Sequence, residues 1–416
     1  MAVYKPFKAL RPTPELASKV AALPYDVMSS SEAREMVKGN PYSFLHIDKA
    51  EIDLPLDTYI YDTAVYLKAK ENLSFLFEKG VLIQDEKPMF YIYKQIMDGR
   101  SQTGLVGCAA ADDYIDGTIK KHEFTRADKE ADRIRHVDIC DANTGPIFLC
   151  YRKKDEINKI IENWKAENEP VYDFVSNGVT QTVWVVDNSE ICDTLSNEFS
   201  NVNYFYIADG HHRSASAVNV AKMRRKQFPN YTGGEEFNFF LSVLFPSDEL
   251  AIMDYNRLIA DLNGLSDKDF IEKIKENFIV LPHTEKEPYK PCEKHTFGMY
   301  LSGKWYKLSA KDGTFDKNDP VDRLDVSILQ NNLISKVLNI DDPRTDSRID
   351  FVGGIRGLYE LENRVNSGMR VAFSIYPAEL SDLMAIADAG EVMPPKSTWF
   401  EPKLLSGLFI HKLSEY

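Results

Sequence analysis

The stretch YFYIADGHHRSASA, residues 204–217, constrains the fold more than any other part of the chain. Its aromatic and β-branched first half is strand material, Asp209-Gly210 is a turn signal, and the small residues from Ser214 onward suit a tightly packed helix. A strand that turns directly into a helix is the building unit of sheets covered by helices. The rest of the chain keeps this alternation. Apolar spacing predicts a helix between Asp57 and Lys79, stopped at Gly80, followed by strands MFYIYKQIM and GLVGCAAADDY around an Asp98-Gly99 turn. SFLHI and PIFLCYR read as further strands, and helices over 154–167 and 189–199 flank strands at 171–175 and 180–186. A mixed α/β sheet is the expected architecture.

The pattern breaks at PNYTGGEE near residue 230, then resumes as a helix over 266–276, a hairpin over 296–309, a helix over 320–338, a strand over 370–376 and a helix over 378–388. The expected division is an α/β core over 1–230 and a C-terminal α+β region over 231–416, a lid or specificity domain.

Charge and composition narrow the function. Fifty basic against 64 acidic residues give a net charge of −14, so nucleic acid is not an expected partner, whereas small anions in a local basic pocket are admissible. The five cysteines are odd in number, scattered and without CxxC spacing, which argues against a disulfide framework or a zinc cluster and for a reduced cytoplasm. The N-terminus has no apolar core, and no run reaches the roughly 18 apolar residues of a membrane span. No membrane partner is therefore expected.

At the Asp209-Gly210 corner the first amides of the following helix have no partner within the helix, and an anion fits there. The helix dipole contributes only about 0.3–1 kcal/mol, so formal charge must add to it. His211, His212 and Arg213 supply that charge, Ser214 follows, and Gly210 admits close approach. Asp209 beside a phosphate implies a divalent metal or a proton-accepting role. The alternative is a plain turn before a surface helix, although His-His-Arg at a helix N-terminus runs against the dipole.

A second cluster, IKKHEFTRADKEADRIRH, crowds Lys121, His122, Glu123 and Arg126 together and puts Arg133 and His136 on one helical side. It reads as a phosphate clamp with Glu123 as acid/base or metal ligand, or equally as a solvated charged helix. Its HE pair lacks the second histidine of a zincin. Lys396, Ser397 and Thr398 in MPPKSTWFEPKLLSG offer a cation and two hydroxyls, or simply a proline-rich turn. Asp26, in the otherwise apolar LPYDV, is a candidate base or a turn cap. GMYLSGKW matches GxxxxGK, but Trp305 stands where Ser or Thr belongs, and its alternation predicts a hairpin. GGIRG at 353–357 lacks a preceding strand and reads as a loop.

FKALRP, LPYDV, IKKHEFTR with KEADRIRH, NTGPIFL, IADGHHR and MPPKSTWFEPKLLSGL together resemble the bacterial and archaeal domain-of-unknown-function family numbered ten-fifteen, over nearly the whole chain. DGHHR also resembles the phosphate-contacting motif of the ParB/sulfiredoxin-like superfamily, which includes CTP-binding ParB proteins, sulfiredoxin and nucleotide-dependent free-serine kinases. That resemblance implies a ParB/sulfiredoxin-like mixed-sheet core, with Gly210 to Ser214 holding nucleotide phosphates. The chain lacks ParB's basic helix-turn-helix and has no cysteine beside DGHHR, which leaves phosphoryl transfer. The resulting expectation is a small-molecule kinase using ATP or ADP and magnesium, acting on free serine, or the reverse or hydrolytic reaction on phosphoserine. Lys121, His122, Arg126 and Arg133, with His136, would close over the phosphate. Asp26, Glu123 and Asp209 are the candidate catalytic carboxylates, with Asp209 and Glu123 the magnesium ligands. A nucleotide-binding regulator without turnover and a metal-dependent nuclease are the alternatives, and a homodimer is compatible with each.

Overall fold

The computed structural model describes residues 2–414. The chain forms two compact units, Met1–Leu250 with Pro402–Tyr416, and Ala251–Glu401. The boundary thus falls at 250, not near 230, because the strand Phe239–Pro246 belongs to the first unit's sheet. It pairs in parallel with Ile147–Tyr151 and antiparallel with Arg100–Ala110.

The first unit is built on a nine-stranded mixed sheet, so the α/β expectation holds. Its order runs Ile119–Lys120, Phe205–Asp209, Ile147–Tyr151, Phe239–Pro246, Arg100–Ala110, Phe90–Met97, Val179–Val186, Tyr172–Ser176, with Tyr4–Lys5 added beside Arg100–Ala110. The hairpin Phe90–Met97/Arg100–Ala110 turns at Asp98 (φ 51°) and Gly99 (φ 79°), the left-handed pair that matches strand twist. Ile92, Leu105, Leu149, Ile207 and Leu244 form a continuous core across neighbouring strands. Each such side chain is worth about 1.5–3 kcal/mol of burial.

The helix His211–Gln227 packs against Ala127–Cys140, which in turn packs against Thr63–Glu78. Buried Ala215, Ser216, Ala217 and Ala221 allow the close approach, and Ser216 Oγ donates across the interface to Glu130 O at 3.2 Å. The C-terminal segment is stitched into the same unit. Ala22 and Ser406 exchange backbone hydrogen bonds of 3.1 and 2.8 Å, and His411–Lys412 pairs with Ala142–Asn143.

The second unit has a six-stranded antiparallel sheet ordered Phe278–Pro282, Lys304–Ala310, Thr296–Leu301, Val371–Ile375, Tyr255–Ile259, Ile349–Gly353. Phe270, Ile274, Leu329 and Leu333 cover it within one apolar cluster. The GMYLSGKW segment is the predicted hairpin, turning at Ser302 and Gly303.

Four local expectations fail. SFLHI contributes to the helix Leu45–Asp48, where Leu45 and Ile47 enter the apolar cluster around Val20 and Val65. The strand predicted through GLVGCAAADDY stops at Ala110, and Ala111–Ile115 is helical. The helix expected over 320–338 is confined to Asp325–Leu329 and its wider-turned continuation Gln330–Ser335. GGIRG does follow a strand, Ile349–Gly353, and continues as the short turn Gly354–Arg356. Among the described residues no helix is long and apolar enough to cross a membrane. All five cysteines are free thiols, and all but Cys292 are buried.

Candidate phosphate site

The predicted strand, turn and helix are present as Phe205–Asp209, Gly210 and His211–Gln227. Gly210 adopts φ 94°, a left-handed conformation that favours glycine, and the helix has no side-chain cap. Its first internal bond is made by the Ser214 amide to Gly210 O at 2.9 Å, so the amides of His211, His212 and Arg213 precede the helical ladder. Ser214 Oγ also donates to Gly210 O, at 3.0 Å, which turns this hydroxyl inward and away from the phosphate role expected for it.

Asp209 is not an open carboxylate. Its Oδ1 accepts from the Gly210 amide at 2.7 Å and its Oδ2 lies 3.0 Å from Lys403 Nζ. Burial opposes its ionisation, but the charges of Lys403 and Arg213 outweigh burial and hold the carboxyl well below the usual range. A carboxylate held ionised in this way is a weak base, and its negative charge already has a partner.

Arg213 donates to the Pro146 carbonyl. Its guanidinium lies against Gly210, where an added Cβ would sit 3.3 Å from Nε. Beside it is a small cavity of about 30 Å³ lined by Tyr25, Asp48, Arg133, His136, Thr144, Gly145, Arg213 and Ser406. Five of the six sequence motifs meet at this point: LPYDV, KEADRIRH, NTGPIFL, IADGHHR and the LLSG end of the last. The volume suits roughly a water molecule or two, so a phosphate needs Arg213 or Tyr25 to yield.

The walls of this cavity are fixed by hydrogen bonds. Arg133 pairs with Asp132 at 2.8 Å and stacks over the Tyr25 ring at 4.1 Å. Burial, opposed chiefly by Arg133, pushes the Tyr25 phenol up to about 12. His136 shares a 3.1 Å hydrogen bond with the Ile47 carbonyl, and burial together with Arg133 lowers its proton affinity, so Nε2 is the donor of a neutral ring. Thr144 Oγ1 donates to Asp48 at 2.8 Å.

On the solvent side, the Arg126 amide donates to His212 Nε2 at 3.0 Å, which puts the proton of neutral His212 on Nδ1. Burial lowers the His212 pKa, and Asp26 is the largest opposing influence, so Asp26 is an electrostatic neighbour of this ring. Asp26 lies on the exposed turn Tyr25–Val27 rather than in apolar surroundings. The Arg126 guanidinium pairs with Asp128 at 2.8 Å, and Lys121 Nζ lies over the Tyr114 ring at 4.4 Å. Neither cation is held as the clamp that the sequence suggested.

His122 and His211 pack edge to face, with ring centroids 4.5 Å apart, and Glu123 Oε2 lies 3.9 Å from His211 Nδ1. Burial pushes His122 down to about 4 and His211 well below the ordinary histidine value. Asp209 does not join Glu123 as a ligand pair: the donor cluster is His122, Glu123 and His211.

Lys396, Ser397 and Thr398 belong to the second unit. There the Lys396 carbonyl accepts from Arg257 at 3.1 Å, Ser397 Oγ donates to Pro394 O, and Ser397 borders a cavity of about 410 Å³ with Arg257, Lys294 and Asp325. Reading single motifs missed Lys403, Tyr25, Thr144, Gly145 and Ser406. Each sits inside one of the motifs that carry the family resemblance, but only Tyr25 adjoins a charged residue singled out there, Asp26.

No curated protein matches the chain. Solved structures similar to it at low identity include the following three. A free serine kinase variant in complex with AMP shares 16% identity, over 73% of this chain and 92% of that one, with a TM-score of 0.36. A conserved hypothetical protein from Pyrococcus furiosus shares 14%, over 76% and 97%, with a TM-score of 0.35. SbnI with a C-terminal truncation, from Staphylococcus aureus, shares 11%, over 72% and 85%, with a TM-score of 0.38. The family described as "Protein of unknown function (DUF1015)" matches residues 4–327, more than three quarters of the sequence. The chain belongs to the DUF1015 family.

Proposed function

We propose that the first unit binds a phosphorylated small molecule at the Gly210 turn and transfers a phosphoryl group between a nucleotide, ATP or ADP, and a small hydroxyl compound such as free serine. One observation carries this reading: Arg133 and Arg213, from separate motifs, line one cavity, and Arg213 belongs to the first turn of a helix that has no side-chain cap. Two guanidiniums and a helix N-terminus form a strong phosphate-recognition set.

In this reading the chain's own groups act by positioning and charge. Arg213 leaves the Pro146 carbonyl for the phosphate, and Arg133 is kept in place by Asp132 and Tyr25. Asp209 is a positioning residue that anchors Lys403 and the turn. Of the three candidate carboxylates, Asp26 is the one left to accept the hydroxyl proton, since Asp209 is ion-paired and Glu123 sits with the histidine pair. Magnesium held by Asp209 and Glu123 does not fit these residues, because the Asp209 oxygens are engaged by Lys403 and the Gly210 amide. No step is assigned to a protein-bound magnesium; magnesium enters with the nucleotide.

The test is phosphorus NMR of the full chain with ATP or ADP, magnesium and serine. A new phosphoester signal supports phosphoryl transfer. Saturable nucleotide binding without turnover supports a regulatory protein instead. Absence of any binding removes the phosphate reading altogether.

A further inference from the structure

We infer that His122, Glu123 and His211 form a binding site for a divalent transition-metal ion of the zinc type. His122 comes from the loop after the edge strand Ile119–Lys120, and His211 opens the helix beyond the neighbouring strand. The sheet therefore supplies the second histidine that the local HE pair lacks. One ligand atom from each of the three residues lies within 4.8 Å of the others.

The burial of the two histidines points to a ligand. His122 is 1% exposed with neither ring nitrogen hydrogen-bonded, and His211 is 5% exposed with Nε2 likewise unpartnered. The Ile207 backbone lies near enough to His122 to favour its protonated form, but not in hydrogen-bond geometry. Buried polar atoms are nearly always satisfied, so several orphan nitrogens converging at one spot require an explanation.

The donor chemistry selects the ion. Two imidazole nitrogens and one carboxylate suit zinc, manganese, iron, cobalt or nickel, whereas magnesium demands oxygen ligands. In a tetrahedral site with metal–nitrogen distances of about 2.0–2.1 Å, donors stand roughly 3.4 Å apart. The three groups thus need to close by up to about 1.4 Å, and the Glu123 side chain is 45% exposed. Three protein donors leave one position of a four-coordinate ion for a water or other ligand.

The experiment uses the intact chain, stripped with chelator and titrated with Co²⁺ while visible absorption is recorded. Expected are ligand-field bands between about 500 and 650 nm, typical of low-coordinate cobalt, a stoichiometry near one, loss of the bands on adding Zn²⁺, and indifference to millimolar Mg²⁺. His122→Ala and His211→Ala are each expected to weaken Co²⁺ binding at least tenfold. Glu123→Gln, at an exposed position, should shift the bands and weaken binding similarly. Co²⁺ binding that is unchanged in all three variants, or displaced equally well by Mg²⁺, overturns the assignment. Because the readout is spectroscopic, the metal site and phosphoryl transfer stand or fall separately.

Discussion

Lys403 Nζ lies 3.0 Å from Asp209 Oδ2, tying the returning C-terminal segment to the strand end that precedes the Gly210 turn. The pair answers the oddity of an aspartate at a turn proposed to bind phosphate: its charge is matched from within the unit. Lys403→Met leaves a mostly enclosed carboxylate without its cation. Removing one partner of a fully buried pair costs about 3–5 kcal/mol. The Asp209 side chain keeps 31% of its surface exposed, so about 1–2 kcal/mol is expected here. Urea unfolding should show this loss, and the double variant with Asp209→Asn should recover part of it. The pH dependence follows from the depressed Asp209 pKa. Its contribution is fully present above the unfolded value near 3.9 and disappears as pH falls toward the lower folded value. Below about pH 4, stability should therefore fall less steeply in Asp209→Asn than in the wild type.

Arg213→Ala removes the guanidinium that faces the Gly145–Pro146 backbone. Its folded-state bond is to a carbonyl, worth about 1 kcal/mol, so the melting temperature should drop by only a few degrees. ADP binding by calorimetry should weaken at least tenfold, and Arg213→Lys should recover only part of it because a point charge replaces a fork. Unchanged ADP affinity in Arg213→Ala would remove this residue from the site.

Much of the first unit was legible because its signals are local. Asp98-Gly99 fixes a hairpin by its own backbone preference, and the run from Tyr204 to Ala217 announces strand, turn and helix in fourteen residues. The misreadings share one cause, information held elsewhere in the chain. SFLHI is too short for its period to decide, and packing around Val20 and Val65 makes it helical. The return of Pro402–Tyr416 depends on exchange between Ala22 and Ser406, which no spacing rule reaches. Likewise the partner of His122 is brought in across the sheet and not along a helix.

In the second unit Asp325 is buried, and that burial pushes its carboxyl up to about 7, against the pull of the His295 amide and Lys294. The folded state therefore binds a proton that the unfolded chain has released between about pH 4 and pH 7. Stability of this unit falls as pH rises through that window and levels off above it. The expected difference between pH 5 and pH 8 is about 2–4 kcal/mol. Asp325→Asn keeps an acceptor for the His295 amide, which bonds Oδ1 at 2.6 Å, and should flatten the dependence. Hydrogen exchange of peptides covering 296–310, compared at the two pH values after correction for the intrinsic rate, reads this unit directly. Equal slopes in both proteins would show that Asp325 titrates normally.

Gly407 locks the returning segment onto the site. It adopts φ 85°, and an added Cβ would meet Phe44 side-chain atoms at 2.6–2.7 Å, far inside contact distance. Phe44 is fully buried and cannot swing aside. Gly407→Ala therefore combines left-handed strain of about 1 kcal/mol with overpacking of about 1–3 kcal/mol. Gly390→Ala is the matched control: φ is 72° but nothing lies within 4 Å, so only the strain is expected. Urea midpoints should separate the two variants. If the segment positions Ser406 and Lys403 as described, Gly407→Ala should also weaken ADP binding severalfold under conditions where it remains folded, while Gly390→Ala leaves binding unchanged. Equal destabilisation by the two variants would mean that Phe44 relaxes and that the lock is loose.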